Sequence, residues 1–185
     1  MRLFVALVPP PAALDALDAA CAPFRAQRDD LRWTGREAWH VTLAFLGDVS
    51  DRSLARLEPR LERGARRHAA FGLSLEGAGA FPGPQRARVV WGGVSGDRKA
   101  LGDLAATVTA GARRAGALPP DAGRKYHPHL TLARSREATD VRPLVESLSG
   151  FRSAPWKAGE ILLIRSRLQG NPRYETLGSW PLSSG

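Results

Sequence analysis

The sequence predicts an α+β fold with two lobes, in which mainly antiparallel sheets surround a central cleft and the helices lie outside. Runs of β-branched and aromatic residues alternate with stretches whose apolar residues recur every three or four positions, the spacings typical of strands and of amphipathic helices. The intervals between these runs are too irregular for a doubly wound parallel sheet, which favours an antiparallel arrangement.

The order of the predicted elements also repeats along the chain. His40 lies 38 residues after the start of the first strand, and His129 lies 41 residues after the start of the equivalent later strand. At 185 residues the chain has the length of one domain. We therefore expect a single bilobal domain over 1–185, made of pseudo-repeats that span roughly 1–85 and 86–185.

The elements of the first half follow from apolar spacing and from helix-opening residues. Leu14, Leu17 and Cys21 share one face of a helix that a run of prolines opens, since proline is tolerated in a first helical turn. Pro59 stands inside the next helix and should kink or split it, because proline removes a backbone donor. In order, we predict strand 2–8, helix 12–26, strand 39–47, a helix through 54–65 capped by Ser50 or Asp51, and strand 71–75.

The second half repeats these patterns. Loops rich in glycine and proline, over 77–84 and 116–123, join the predicted units. Asp140 stands where it can cap a short helix. In order, we predict strand 88–94, a helix over 101–115, a strand from His129, helix 141–148, strand 160–168 and an extended segment 174–182.

The composition is that of an ordinary folded protein, with 43% hydrophobic and 24% charged residues, which excludes disordered, collagen-like and coiled-coil classes. Lys and Arg number 27 against 18 Asp and Glu, giving a net charge of +9. This surplus suits a polyanionic partner. Because only three of the basic residues are lysines, it also fits arginine enrichment from a GC-rich genome, and it identifies no partner by itself.

Two features bear on the compartment. Cys21 is the sole cysteine, so the chain has neither an internal disulfide nor a cysteine-based metal site, which favours a reducing environment. The apolar stretch 3–8 is stopped by three prolines and is too short for a signal peptide or a membrane span. We expect a cytoplasmic protein that does not bind membranes.

The informative feature of the repeats is a four-residue pattern, HxTx, that occurs once in each. It consists of His40-Val41-Thr42-Leu43 in the first repeat and His129-Leu130-Thr131-Leu132 in the second. Side chains alternate along a strand, so each histidine points to the same face as its threonine, while the other two side chains point into a core. Two such strands related by a pseudo-two-fold axis would surround a site for one tetrahedral anion.

Two histidines suit acid–base catalysis near neutral pH, because imidazole can accept a proton in one copy and donate one in the other. The threonine hydroxyls can donate hydrogen bonds to non-bridging phosphate oxygens as charge builds there. Arg134, five residues after His129, adds a guanidinium suited to bidentate phosphate contact. These groups predict metal-free phosphodiester cleavage, but the residues alone do not say which histidine is the acid.

The chain resembles the two-histidine phosphoesterase superfamily, in particular the RNA 2′,3′-cyclic phosphodiesterases, which are 2′-5′ RNA ligase-like. The resemblance runs nearly end to end through the segments RLFVALVPP, HVTLAFLG, FPGPQRARVVWGGV, PHLTLAR and SRLQGNPRYETLGSWPL. It implies hydrolysis of an RNA 2′,3′-cyclic phosphate to a 2′-phosphomonoester, with O3′ leaving, and 2′-5′ joining of tRNA halves as the reverse chemistry. It also implies that His40 is the proton donor, that His129 is the proton acceptor, and that Thr42, Thr131 and Arg134 bind the substrate phosphate.

The expected partner is therefore an RNA with a 2′,3′-cyclic phosphate end, tRNA fragments included. We expect a monomer with no obligatory protein partner, no cofactor and no metal. His127 lies two residues before His129 and would offer a second imidazole to a metal. However, no Asp, Glu or Cys stands nearby in sequence as a third ligand, and Pro128 marks the start of the strand.

Two other functions stay open from the residues. The same site could serve a related phosphoesterase acting on small cyclic nucleotides or 2′-5′ oligoadenylate, and the basic charge alone would fit a non-catalytic module that binds RNA ends. Trp39, Trp91 and Tyr126 are candidates for stacking a nucleobase, and the sequence does not choose among them. Phe45, at odd spacing from His40, is expected to pack in the core.

Overall fold

The computed structural model describes residues 1–117, 123–169 and 172–184. Within these ranges the chain forms nine strands and four α-helices, with a single 3₁₀ turn at Arg36–Ala38. The strands are β1 (Arg2–Leu7), β2 (Arg32–Trp33), β3 (Val41–Asp48), β4 (Phe71–Phe81), β5 (Ala87–Gly96), β6 (His129–Thr139), β7 (Trp156–Ala158), β8 (Glu160–Ser166) and β9 (Tyr174–Pro181). The helices are α1 (Pro11–Gln27), α2 (Asp51–Ala65), α3 (Arg98–Ala115) and α4 (Arg142–Ser147).

The strands form two sheets, one with the order β3-β1-β8-β9 and one with the order β2-β6-β5-β4-β7. Every pair of neighbouring strands in the described part of the chain is antiparallel. The predicted α+β class with antiparallel sheets is therefore confirmed. β3, which follows His40, pairs with β1, the first strand of its half of the chain. β6, which begins with His129, pairs in the same way with β5.

Neither half of the chain builds a sheet by itself. β4 belongs to the first half but pairs with β5, and β8 belongs to the second half but pairs with β1. The order β3-β1-β8-β9 in one sheet thus has a counterpart in β6-β5-β4-β7 in the other. Each sheet therefore contains strands from both halves of the chain.

The main core lies between the helices and one face of each sheet. Its fully buried side chains include Leu17 and Cys21 of α1, Leu57 of α2 and Leu104 of α3. Burial raises the pKa of the Cys21 thiol to about 11, so the thiol stays protonated at neutral pH. The first sheet also carries apolar residues on its other face, where Phe4, Ala6 and Ile164 form a separate small cluster.

Local hydrogen bonds set the helix ends. Ser50 accepts from the backbone N–H of Ser53 at the start of α2, as the sequence predicted, and Asp97 accepts from that of Ala100 at the start of α3. Gly116 ends α3 in the left-handed conformation with φ of 82°, which glycine adopts without steric cost. Asp140 was predicted to cap the fourth helix, but Val141 is the N-cap residue of α4, and Asp140, one residue earlier, accepts from the backbone N–H of Arg142.

Pro59 does not split α2, which runs unbroken over Asp51–Ala65 with the proline on its exposed side. The prediction of a loop over 77–84 is wrong. Most of the predicted loop over 77–84 is strand, because β4 continues to Phe81 past a bulge at Gly77, where φ is +66°.

Most of the second predicted loop, over 116–123, lies outside the described residues. Within the described ranges, every helix is too short or too polar to span a lipid bilayer.

Candidate active site

Each HxTx pattern lies where a strand begins. His40 immediately precedes β3, His129 is the first residue of β6, and both side chains are half-buried. Thr42 and Thr131, two residues further on, are half-buried as well. The intervening residues all lie in the main core, namely Val41, Leu43, Leu130 and Leu132. Both strands therefore begin with the alternation that the sequence predicted.

An extra residue interrupts this alternation in β3. Consecutive residues of β1 pair with Thr42 and Ala44, which leaves Leu43 as a bulge. A one-residue bulge moves every later side chain to the opposite face of the sheet. Phe45 therefore shares the face of His40 and is 48% exposed, so the prediction that it packs in the core is wrong.

The same irregularity occurs in β6. Consecutive residues of β5 pair with Thr131 and Ala133, which leaves Leu132 as the bulge. Because of this bulge, Arg134 lies on the same face as His129 despite its odd spacing. Its position in β6 corresponds to that of Phe45 in β3. Burial is the largest cause of the lowered pKa of His129, and the positive charge of Arg134 acts in the same direction.

Two aromatic rings surround His40. Phe4 stacks on the imidazole with ring centroids 4.5 Å apart and an interplanar angle of 27°. Tyr174 meets it edge-on at 5.4 Å. Because these contacts replace water, burial lowers the pKa of His40 to about 4. The imidazole is therefore neutral at pH 7 in the absence of a bound anion.

A cavity of about 570 Å³ opens beside His40. Apolar and aromatic side chains from the first sheet and its flanking segments line much of it, including Val8, Leu162, Ile164 and Tyr174. Charged side chains, Arg36, Glu37 and Arg173, contribute the polar part of the lining. An apolar cavity with a few polar groups is the usual form of a small-ligand site.

His129 is held differently. Its Nδ1 lies 2.7 Å from the backbone oxygen of His127. A carbonyl can only accept, so Nδ1 donates, and the neutral ring keeps its lone pair on Nε2. Phe81 contacts the ring edge-on at 5.1 Å, and Trp91 lies 6.3 Å away. Burial lowers the pKa of His129, and the hydrogen bond to His127 opposes that effect in part.

Hydrogen bonds tie the two HxTx patterns to each other in both directions. Tyr126, just before the second pattern, donates its hydroxyl to the backbone oxygen of Thr42 at 2.9 Å. Thr34, just before the first pattern, donates its hydroxyl to the backbone oxygen of Thr131 at 2.7 Å, and Trp39 Nε1 donates to that hydroxyl at 3.1 Å. The fold therefore brings together two patterns that lie far apart in sequence.

The structure excludes one of the candidate stacking residues. Trp39 is only 1% exposed, whereas Trp91 and Tyr126 are half-buried. The indole Nε1 of Trp91 is buried without an acceptor among the described residues, a condition that costs about 1–3 kcal/mol. His68, outside these patterns, hydrogen-bonds the Thr107 hydroxyl through Nε2 at 2.8 Å.

Sequence reasoning missed the aromatic residues Phe4 and Tyr174 and the bridging Thr34. Their roles arise from contacts across the chain, and no local pattern marks them. In the described part of the chain, no three or more His, Cys, Asp or Glu side chains cluster closely enough to hold a metal ion.

The paired patterns on matching bulged strands point to one family. The model of the 2′-5′ RNA ligase superfamily matches residues 9–170 of the chain. The chain belongs to this superfamily.

Similar proteins carry a more specific name. The RNA 2′,3′-cyclic phosphodiesterase of Aeropyrum pernix is 34% identical over 161 residues, which cover 81% of this chain and 89% of the relative. The protein of the same name from Geobacillus stearothermophilus is 34% identical over 152 residues, covering 81% of this chain but only 47% of that longer relative. Among solved structures of the superfamily fold, Escherichia coli LigT complexed with 3′-AMP superposes with a TM-score of 0.75 at 28% identity, over 99% of this chain and 98% of that one.

Proposed function

We propose that this protein hydrolyses RNA 2′,3′-cyclic phosphodiester ends to 2′-phosphomonoesters, with His40 and His129 as a metal-independent acid–base pair. The observation that carries the proposal is the reciprocal hydrogen bonding between the segments of the two HxTx patterns, which ties Thr34 to the backbone of Thr131 and Tyr126 to the backbone of Thr42. The name shared by the similar proteins, RNA 2′,3′-cyclic phosphodiesterase, supports the same substrate class.

His129 is the proton acceptor. Its Nδ1–H donates a hydrogen bond to the His127 carbonyl, so the lone pair on Nε2 is available to accept a proton from water. The lowered pKa of His129 keeps this nitrogen unprotonated near neutral pH.

His40 is the proton donor. Its ring is packed between Phe4 and Tyr174, and no ring-nitrogen hydrogen bond to it occurs among the described residues. Burial makes it neutral in the free protein, but a phosphate anion favours the charged imidazolium. The negative charge of the bound substrate thus raises the pKa of His40, and the imidazole takes up the proton that it later donates.

The reaction balances without another reactant. The water oxygen attacks phosphorus as its proton passes to Nε2 of His129, the P–O3′ bond breaks, and O3′ takes a proton from His40. The hydroxyls of Thr42 and Thr131 donate to the non-bridging oxygens, and the guanidinium of Arg134 offsets their charge. The product carries a 2′-phosphate and a free 3′-hydroxyl.

In-line displacement fixes where the nucleoside sits. The leaving O3′ belongs to the ribose and must face His40, so the ribose and its base lie on the His40 side of phosphorus. The cavity of about 570 Å³ on that side has room for a nucleoside. Tyr174 within it and Phe45 beside it offer aromatic faces for the terminal base and its neighbour.

We further propose that 1–185 acts as one bilobal domain with pseudo-repeats of roughly 1–85 and 86–185, and as a cytoplasmic monomer. The exchange of β4 and β8 between the sheets supports a single domain, because neither half completes a sheet alone. The phosphodiesterase site supports RNA fragments with cyclic ends, tRNA halves included, as substrates.

Product analysis tests the proposal. An oligonucleotide with a 2′,3′-cyclic phosphate end should yield a 2′-phosphate, and EDTA should not slow the reaction. His40→Ala and His129→Ala should each abolish turnover in a folded protein, whereas His68→Ala, a histidine outside the site, should retain it. A 3′-phosphate product, or full activity in either of the first two variants, would contradict the assignment. Better cleavage of cyclic mononucleotides than of RNA ends would favour a small-nucleotide phosphodiesterase instead.

A further inference from the structure

A groove lined by arginines lies on the outer surface of α2 and α3, where these two helices pack together. Its volume is about 160 Å³. Arg60, Arg63 and Arg67 come from α2 and the turn after it, and Arg114 comes from α3. Arg60 is half-buried and the other three are exposed. This arginine groove has no part in the proposed hydrolysis.

Two glycines keep the arginine groove open. A Cβ at Gly64 would lie 3.2 Å from the Thr107 side chain, and a Cβ at Gly111 would lie 3.6 Å from the Cβ of Arg60. The helices therefore approach each other closely at both positions. Because glycine has no side chain, the space between the arginines is not filled at these two positions.

The arginines of the groove lack a counter-charge. Among the residues that the structure describes, none of the four forms an ion pair with a carboxylate. Two acidic residues of the same helices, Glu62 and Asp103, are paired with Arg66 and Lys99 instead. Neighbouring like charges repel, so a bound anion would relieve this repulsion.

The size and shape of the arginine groove favour the phosphates of a polynucleotide. Its volume is well below the ~300–1,000 Å³ of pockets that enclose an organic ligand, so it suits a phosphate group better than a whole nucleotide. Guanidinium groups bind phosphate oxygens in pairs. From Arg60 to Arg67 the chain rises about 10 Å, the length of about three phosphates along one strand.

A membrane surface fits the groove less well. Helices that bind lipid headgroups carry exposed apolar side chains beside their basic ones. In the described part of the chain, the exposed large apolar residues are Val8, Phe45 and Leu168, and neither α2 nor α3 contains any of them.

The arginine groove lies behind the first sheet, away from the proposed catalytic residues. The buried face of α2, which includes Leu57, packs in the main core with Val41 of β3. Val41 points to the opposite face from His40. One helix layer and one sheet, each about 10 Å thick, thus separate the groove from His40. At ~3.4 Å per phosphate, an RNA strand needs more than about six nucleotides to reach both sites.

We propose that the arginine groove is a second RNA-binding site, which binds backbone phosphates of a substrate strand at a distance from its cyclic end. The choice of RNA as the ligand rests on the proposed function. Because the contacts are to phosphates, the site binds without regard to base sequence. It increases the affinity for long substrates and does not contribute to the chemical step.

A binding assay tests the groove without hydrolysis. Fluorescence anisotropy measures the affinity for an RNA of about 30 nucleotides that ends in a 3′-hydroxyl. Arg63→Gln/Arg67→Gln should lower this affinity at least about tenfold at 0.1 M salt and reduce the slope of log affinity against log salt by about 1.4. Arg52→Gln/Arg98→Gln removes the same charge from exposed positions of the same helices outside the groove, so it should keep the wild-type slope.

Steady-state kinetics connect the groove to the proposed reaction. Two substrates with 2′,3′-cyclic phosphate ends are compared, a dinucleotide and an RNA of about 30 nucleotides. Arg63→Gln/Arg67→Gln should raise KM for the long RNA at least about tenfold and leave kcat unchanged. The dinucleotide is too short to reach the groove, so its kcat and KM should stay at wild-type values, which also shows that the variant is folded.

Several results would overturn the second site. These are wild-type RNA affinity in Arg63→Gln/Arg67→Gln, an equal loss of affinity in the control variant, and an equal rise of KM for the dinucleotide. Displacement of the RNA by inorganic phosphate at matched ionic strength would indicate a site for a single free anion. Arginine-dependent binding to phosphatidylglycerol vesicles without binding to RNA would indicate a membrane surface. Arginine-dependent RNA binding in a wild-type protein without hydrolytic activity would confirm the groove and refute the proposed function.

Discussion

The desolvated ring of His40 should make the stability of this protein depend on pH in a calculable way. Its pKa falls from about 6.5 in the unfolded chain to about 4 in the folded protein. Between these two pKa values the imidazole is protonated in the unfolded chain but not in the folded protein. The free energy of unfolding therefore falls as the pH falls. At about 1.4 kcal/mol per pKa unit, the contribution present above pH 6.5 and lost by pH 4 is about 3 kcal/mol.

Urea unfolding followed by tryptophan fluorescence measures this loss. The wild type and His40→Gln, whose side chain does not titrate, are compared at several pH values from 7.5 to 4. Other groups, including His129 with its lowered pKa, contribute to both proteins alike. The wild type should therefore lose about 3 kcal/mol more than the variant across this range.

The same residue can be observed directly by NMR. The His40 imidazole should titrate near pH 4 in the free protein and at higher pH once a nucleoside 2′-monophosphate is bound, because the phosphate charge favours the imidazolium. If the free energy of unfolding fell by the same amount in the wild type and in His40→Gln between pH 7.5 and 4, the proposed effect of His40 burial would be refuted. A His40 titration midpoint near 6.5 without ligand would refute it as well.

Three further predictions concern contacts around the site. Tyr126→Phe deletes the hydroxyl that donates to the backbone of Thr42, so we expect a loss of about 1 kcal/mol in urea unfolding and a lower kcat/KM; an unchanged kcat/KM would show that the bond does not align the two patterns. Phe45→Ala should change stability by about 1 kcal/mol or less but raise KM for an oligonucleotide about tenfold, whereas Leu168→Ala, at a side chain 80% exposed, should change neither. Raising the salt concentration should increase KM for long RNA and leave kcat nearly constant, since the +9 charge attracts RNA without entering the chemical step; a matching fall in kcat would contradict this.

Local sequence determined most of the elements and supplied the residues of the proposed site. The opening prolines of α1, Ser50 before α2 and the glycine after α3 act within one turn of their helices, so their effects can be predicted from neighbouring residues alone. The strands β2 and β7 were not predicted, because two or three residues are too few to show a period.

The face on which a residue lies was predictable only up to the first bulge. Period-two alternation places His40 and Thr42 together but fails at Phe45, since Leu43 is an extra residue in β3 opposite β1. The same bulge in β6 carries Arg134 to the histidine face, where family resemblance predicted a phosphate contact but strict alternation did not. A bulge depends on pairing with another strand, and a single strand's sequence does not reveal it.

The sequence by itself therefore determined the chemistry available to this protein: two imidazoles, two hydroxyls and a guanidinium in a duplicated order. Only the tertiary structure decided their environment, because it placed one imidazole between Phe4 and Tyr174 and fixed the tautomer of the other through the His127 carbonyl. The environments of the two rings differ because burial and hydrogen bonding act on each of them separately. Those effects come from residues that are distant in the chain and adjacent only after folding.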